Sequence, residues 1–457
     1  MYKIIKNSWA LFTGFGIIII SHGFQGNLLG IRSVLENFNY IATGTMLSGY
    51  FVGYFIGAYI VPNLVSKVGH IRVFAAFASM ASLSSLIHVV FVDPVVWTLA
   101  RFLTGFSMIG IFIIVESWLN DRATNRTRGK VLSFYMFITF FGFAVGNLLL
   151  NISSPKDYEP FILISLLFSI ALIPILLTKR KPPTFKKISS IKIKELFKIS
   201  PFGSFSTFCS GFIFSAMFTM LSVYAVTMNL SVFEISILLF AVTLAGAIFQ
   251  WPIGSLSDKY DRRIIIIGCC IASSIFAILS IAASGIFFEN LLVGEMFRFN
   301  YFSPDTAMDK TKLFIFIVLL SGMTLPLFAL NLALVNDYIP KEKFVAAGAG
   351  LNIIFGLGAI AGPIICSILM NFLGPNGFFV HLLIFFIVIT CFWNLSLVDR
   401  QFEPLPHKPI ISLQASITGC FVSSNNRKSS ALPPESPLKI IGLPPTSSPI
   451  TALSSFS

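Results

Sequence analysis

The sequence predicts an all-α integral membrane protein, with twelve transmembrane helices arranged as two pseudo-symmetric six-helix bundles. Three observations predict it: the composition, the placement of the basic residues, and an internal repeat. Hydrophobic residues make up 55% of the 457 positions and charged residues 11%, against roughly 25% charged in a soluble globular chain. With 50 Phe and a mean hydropathy of +0.85, there is not enough charge to cover a surface bathed in water. The composition excludes a soluble enzyme, a disordered chain and a fibrous protein.

A bilayer core takes about 20 apolar residues per helix. On that measure the first six spans fall at 9–30, 41–65, 71–92, 94–119, 130–151 and 160–178, and the second six at 201–228, 233–256, 264–284, 312–335, 344–370 and 376–398. Each run is far longer than a strand and lacks the alternation of a membrane barrel, which leaves the helix as the spanning element. Span 1 follows the basic start Lys3 and Lys6. Its apolar run outlasts the roughly 7–15 residues of a signal-peptide core and no small-x-small site closes it, so it is expected to be retained. The segment 179–200 is basic, carries Pro182 and Pro183, and is expected to be a cytoplasmic linker between a half at 1–178 and a half at 201–398. The stretch 399–457 is rich in Ser and Pro and has no run able to span, as expected of a disordered cytoplasmic tail.

The basic residues test this count. With the amino terminus in the cytoplasm, 26 of the 32 Lys and Arg fall on the inner side, and only Arg32, Lys156, Arg298, Lys310 and Lys312 fall outside. Arg101 alone lies within a span. Such a bias supports an even number of helices and cytoplasmic termini, so the net charge of +13 is a topological signal and not a nucleic-acid one. All five Trp lie near predicted span ends, where an aromatic belt would put them. The six Cys (Cys209, Cys269, Cys270, Cys366, Cys391, Cys420) have no metal-ligand spacing and read as small apolar residues.

A shift of 216 positions places Asn120, Asp121, Gly142 and Gly146 on Asn336, Asp337, Gly358 and Gly362, while the earlier loops match at 192, with Leu64 on Leu256 and Lys67 on Lys259. The difference is an insertion in the second half: spans 9 and 10 are joined by the polar segment 285–311, whereas spans 3 and 4 are joined by a turn at Asp93 and Pro94. Duplicated six-helix halves enclose a path between them, and rocking of one against the other opens it to alternate sides.

Between spans 8 and 9 lies Gly254-Ser-Leu-Ser-Asp258-Lys-Tyr-Asp-Arg262-Arg263, which resembles the G-x-L-x-D-R-x-G-R-R signature of the major facilitator superfamily of secondary transporters. A carboxylate at a helix end can face the positive N-terminus of a neighbouring helix across the two halves, a contact that forms when the inner side is closed. The competing reading is a topology-setting basic turn, which explains the Arg residues but not Asp258. In the first half Ser66 stands where the family has Asp. Arg101-Phe-Leu-Thr-Gly105 resembles the superfamily's helix 4 motif; a guanidinium at that depth reads as functional unless it only braces polar neighbours. Gly142-x-x-x-Gly146 resembles the exporters' helix 5 motif without its Pro, and reads more readily as helix packing. Glu116-Ser-Trp-Leu-Asn-Asp121, Arg128-Gly129 and Ser48-Gly-Tyr-Phe-Val-Gly53 are similar to the YcaD-like bacterial subgroup, which implies the bacterial inner membrane and no particular substrate.

The resemblance implies that spans 1, 4, 7 and 10 line a cavity, to which they offer His22, Gln25, Asn27, Arg101 and Asn331. With one permanent charge, that cavity suits an amphipathic organic solute better than a phosphate or a metal ion. Glu116 is expected to form a cytoplasmic ionic gate with Arg128 or Lys130, alongside Asp258 and Arg262, or else to be an interfacial charge. The function expected is secondary active transport by alternating access, driven by an ion gradient with protons as the candidate ion. The alternative is a membrane-embedded enzyme or lipid-handling protein. The expected partners are the solute and membrane lipid. The chain is expected to act as a monomer, with no catalytic residue, cofactor, metal or nucleic acid.

Overall fold

The computed structural model describes residues 8–122, 127–177, 191–285 and 309–396. Every regular element among the described residues is a helix. In chain order the spans are span 1 (Trp9–Leu35), span 2 (Tyr40–Val68), span 3 (His70–Val90), span 4 (Pro94–Arg122), span 5 (Arg128–Leu148, extended by a 3-10 turn at Leu149–Asn151) and span 6 (Glu159–Ile170 and Leu172–Leu176). Span 7 (Pro201–Thr227), span 8 (Val232–Ser257), span 9 (Arg262–Ala283), span 10 (Lys310–Thr324 and Leu327–Asn336), span 11 (Phe344–Leu373) and span 12 (Gly377–Ser396) follow. Eleven are long and apolar enough to cross a bilayer, and the twelfth is a shorter apolar helix over Gly377–Trp393. The insertion between spans 9 and 10, most of the expected linker, and the tail lie outside the described residues.

Local chemistry sets the helix ends. The Asn39 side chain accepts from the Ala42 N–H at 2.7 Å, Ser231 and Glu234 close a reciprocal capping box, and Asp93 accepts from Val95 and Val96 just ahead of span 4, each satisfying N–H groups that have no partner within the helix. Gly69 joins spans 2 and 3 at φ 95, a backbone that side chains with a Cβ avoid. Proline breaks two spans that the sequence predicts as continuous. Pro326 and Pro174 lack the N–H that would close the preceding turn, and the helix is interrupted at Leu325–Pro326 and at Ala171.

Two further features differ from expectation. The last part of the expected linker is a short helix, Ile193–Ile199. Its apolar residues recur at helical spacing, and Leu196 is fully buried among Val335, Ala347 and Leu351 of spans 10 and 11. Trp9 and Trp251 face outward, 60% and 77% exposed, but Trp97 and Trp118 are buried. Trp97 donates its indole N–H to the Phe91 carbonyl at 2.7 Å and meets His88 edge-on, so it is a packing residue, not part of an aromatic belt.

The repeat reappears as packing. Five contacting pairs of the first six spans, 2 with 4, 1 with 5, 3 with 4, 3 with 6 and 1 with 6, recur displaced by six as 8 with 10, 7 with 11, 9 with 10, 9 with 12 and 7 with 12. In the second six, 11 with 12 and 7 with 10 are in contact as well. The register agrees to the residue: a Cβ on Gly146 would strike the Ile20 carbonyl, and one on Gly362 the Phe212 carbonyl, which are 192 apart while the glycines are 216 apart. The bundles meet through spans 2 with 11, 5 with 8 and 1 with 7, a set that maps onto itself when the bundles are exchanged.

Candidate functional site

Small residues bring spans 2 and 4 together and thereby build the site. A Cβ on Gly105 would fall on the Tyr50 carbonyl, and one on Gly53 on the Phe102 carbonyl. Without those methyl groups the backbones approach closely, and the Tyr50 ring comes to lie 4.8 Å from the Arg101 guanidinium carbon. The Tyr50 hydroxyl is 3.2 Å from His22 Nε2, and the two rings stack. Gln25 donates to Ser85 Oγ at 2.9 Å, one turn from His88, and both His22 and His88 lie within electrostatic reach of Arg101.

Arg101 is 1% exposed, about 10 Å along the helix from Pro94. Its Nε and Nη1 have no hydrogen-bond partner, and it joins none of the ion pairs among the described residues. An Arg within a span costs at most about 2.5–3.5 kcal/mol on insertion scales, the value at the helix centre, and a desolvated cation–π contact returns about 2 kcal/mol. The ion pairs among the described residues lie on other elements: Glu36 with Arg32, Glu234 with Lys310, Asp309 with Lys312, and Asp258 and Asp337 with Arg262.

The sequence-predicted cavity residues fall into separate groups. His22 and Arg101 meet through Tyr50, and Gln25 joins them through Ser85. Asn27 donates to Asn147 at 2.7 Å, and Asn147 reaches Thr243 of the other bundle at 3.4 Å; these three, with Phe143 and Met217, line a central cavity. Asn331 instead donates to Ser210 Oγ at 3.1 Å. Tyr50, Ser85, His88, Asn147 and Thr243 are not among the residues the sequence singles out for the cavity, because spans 2, 3, 5 and 8 are not expected to line it. The available signal was a polar residue within each apolar run, and for Tyr50 its place between Gly49 and Gly53.

The two faces of the protein differ. Call the face where span 1 begins at Trp9 the terminal face. Toward the opposite face the bundles are in contact: Ser48 donates to the Ile360 carbonyl, Asn151 to Ser236 at 2.6 Å, and Gly44 packs directly on Ser367 and Pro363. Toward the terminal face a narrow crevice of about 40 Å³ lies between spans 2 and 4 and span 11, lined among others by Tyr54, Tyr59, Glu116 and Asn352. Glu116 is buried and accepts from the Tyr135 hydroxyl at 3.0 Å. Lys130 is exposed, and the side chain of Arg128 lies outside the described residues. Arg262 bridges Asp258 at 3.2 Å and Asp337 at 2.8 Å, all within the second bundle.

Comparison with known proteins bears on this arrangement. The family model described as Major Facilitator Superfamily matches residues 11–297. The chain is 22% identical over 372 residues to the MFS-type transporter YcaD of Escherichia fergusonii, covering 81% of this chain and 90% of that one. It is 24% identical over 358 residues to the MFS-type transporter YfkF of Bacillus subtilis, with 76% and 85% covered. Among solved structures it is similar to the nucleoside transporter NupG, with TM-score 0.63, 14% identity, and 87% and 99% of the chains covered. A bacterial homologue of the human lysosomal transporter Spinster, in an inward-facing and occupied conformation, gives TM-score 0.65 at 12% identity, with 88% and 99% covered.

Proposed function

We propose, on the premise that the chain belongs to the Major Facilitator Superfamily, that it carries a small amphipathic organic solute across the bacterial inner membrane by alternating access. The family and its transporter relatives make it a multi-pass secondary transporter and not an enzyme. The observation that carries the finer reading is the inequality of the two faces: bundles joined at one, parted by a crevice at the other. On the basic-residue bias the terminal face is cytoplasmic, which makes this an arrangement closed on the outer side, with its crevice on the inner one. His22, Gln25, Asn27 and Arg101 then belong to the solute path, Asp258 and Arg262 to the cytoplasmic gate, and Glu116, in the crevice wall, is the candidate carrier of a coupling proton. The halves at 1–178 and 201–398 act as the rocking units.

Reconstitution tests this. Proteoliposomes preloaded with one solute and diluted into its radiolabelled form should show saturable counterflow, faster under an imposed proton gradient. Folded protein that gives no counterflow with any solute of a broad panel, or turnover of a solute without movement, would refute the reading.

A further inference from the structure

We propose that Arg101 is the anion-recognition point of the solute path, and that the solute carries a single carboxylate on an apolar, ring-bearing body. The inference rests on the transporter reading above and names its substrate class.

The first observation is the unspent bonding capacity of a buried cation. Arg101 Nε and Nη1 have no partner, and in the same cluster neither do His22 Nδ1, His88 Nε2 and Gln25 Oε1. No carboxylate forms an ion pair with the guanidinium among the described residues. Buried polar groups ordinarily find partners, and a planar guanidinium offers two parallel N–H bonds whose spacing matches a carboxylate.

The second observation comes from the duplication. The register fixed by the glycine contacts maps Tyr50 onto Val242 and Arg101 onto Ile317; Gly105 maps onto Ser321, and as a Cβ on Gly105 would fall on the Tyr50 carbonyl, Ser321 donates to the Val242 carbonyl at 2.8 Å. By the same shifts His22, Gln25 and Ser85 map onto Phe214, Met217 and Ala277. The second bundle thus packs the same helices with apolar side chains, and Ile317 and Val242 are buried there. The architecture does not require a charge at this position, so bracing the bundle does not explain Arg101.

The third observation is position. Tyr50 contacts Tyr54, which lines the terminal-face crevice, and His22 contacts Phe143, which lines the central cavity beside Asn27. The cluster therefore stands between the terminal-face crevice and the central cavity. One cation neutralises one negative charge, which favours a monocarboxylate over a phosphate dianion, and Tyr50, Tyr54, Phe112 and Phe143 supply ring faces and edges for the remainder.

The test is thermal unfolding of the purified full chain in detergent with benzoate, 3-phenylpropionate and octanoate, each beside its amide and its amine, and with inorganic phosphate. In the wild type at least one acid should raise the midpoint with the logarithm of its concentration, while its amide and amine and phosphate leave it unchanged. Arg101→Met should weaken the response at least tenfold and Arg101→Lys should keep part of it. If Arg101→Met does not fold, Arg101→Lys alone carries the comparison, with a weakened response expected. The proposal is overturned if amides act as well as acids, if phosphate acts better, if the variants respond like the wild type, or if no acid has an effect. Counterflow of a neutral or cationic solute without any acid response would sink this inference and leave the transporter reading standing; absence of all counterflow would sink that reading itself.

Discussion

Gly44→Leu should drive the protein out of the arrangement seen here. Gly44 lies on span 2 near the opposite face, and a Cβ there would collide with the Ser367 side chain and the Pro363 carbonyl of span 11. A leucine adds three further carbons to that collision. Overpacking of this kind costs about 1–3 kcal/mol, and the cost falls only on the state in which spans 2 and 11 touch at this level. A state that parts them gains by the same amount, so the ratio of the two should change about 5- to 150-fold. The assay is the labelling rate of Asn352→Cys, in the wall of the terminal-face crevice, by a membrane-impermeant maleimide. Cys391 and Cys420 would be replaced by Ser, since Cys209, Cys269, Cys270 and Cys366 are buried. Gly44→Leu should slow labelling, by at most the factor by which that ratio falls. Gly268→Leu, where a Cβ meets nothing within 4 Å, should leave it unchanged. Equal labelling in a Gly44→Leu protein that melts like its parent would refute the assignment of the opposite-face contacts to one state.

Two stability predictions follow from the packing. Leu196→Ala empties a fully buried position between spans 10 and 11 and should cost about 2–4 kcal/mol, read as a lower unfolding midpoint in detergent, while Lys194→Ala on the exposed side of the same helix should leave it within error. Alanine at two helical glycines should act in opposite directions: Gly105→Ala forces spans 2 and 4 apart against the Tyr50 carbonyl and should lower the midpoint, whereas Gly268→Ala meets open space and should raise stability by about 1 kcal/mol through helix propensity.

The spans were legible because lipid leaves the chain little choice: long apolar runs must be helices, and their count and limits follow from bilayer thickness. The repeat was legible because glycines at close helix crossings tolerate no side chain, so Gly142 and Gly146 and their counterparts keep the register that the packing later displays. What the sequence did not reveal depends on the third dimension. The breaks at Ala171 and Pro326 were present as prolines but overridden by hydropathy. The Ile193–Ile199 helix was hidden by its basic surroundings, although Ile193, Leu196 and Ile199 keep an apolar face. Arg101 could be singled out from its depth alone, yet its partner ring, Tyr50, is some fifty positions away and becomes a neighbour only because two helices lacking side chains at Gly53 and Gly105 cross there.

The terminal face shows how a gate at Asp258 would have to work. Contacts that persist unchanged in every state cannot bias the equilibrium; only those that differ from one state to the next can. In the second bundle Arg262 holds both Asp258 and Asp337. By the register of the repeat the corresponding residues of the first bundle are Ser66, His70 and Asp121. Ser66 turns back to the Asn63 carbonyl, and His70 lies 3.0 Å from Ser117 Oγ with Asp121 in electrostatic reach. The first bundle therefore has no carboxylate to offer at the equivalent of Asp258, and a latch of this kind must come from the second. For Asp258 to meet the N-terminus of span 5 it must let go of Arg262, exchanging a partly exposed i,i+4 pair worth about 0.3–0.5 kcal/mol for a helix terminus worth about 0.3–1 kcal/mol. The two sides of that exchange nearly cancel, and with Arg262 still holding Asp337 a gate built this way would close and reopen without either state becoming a trap.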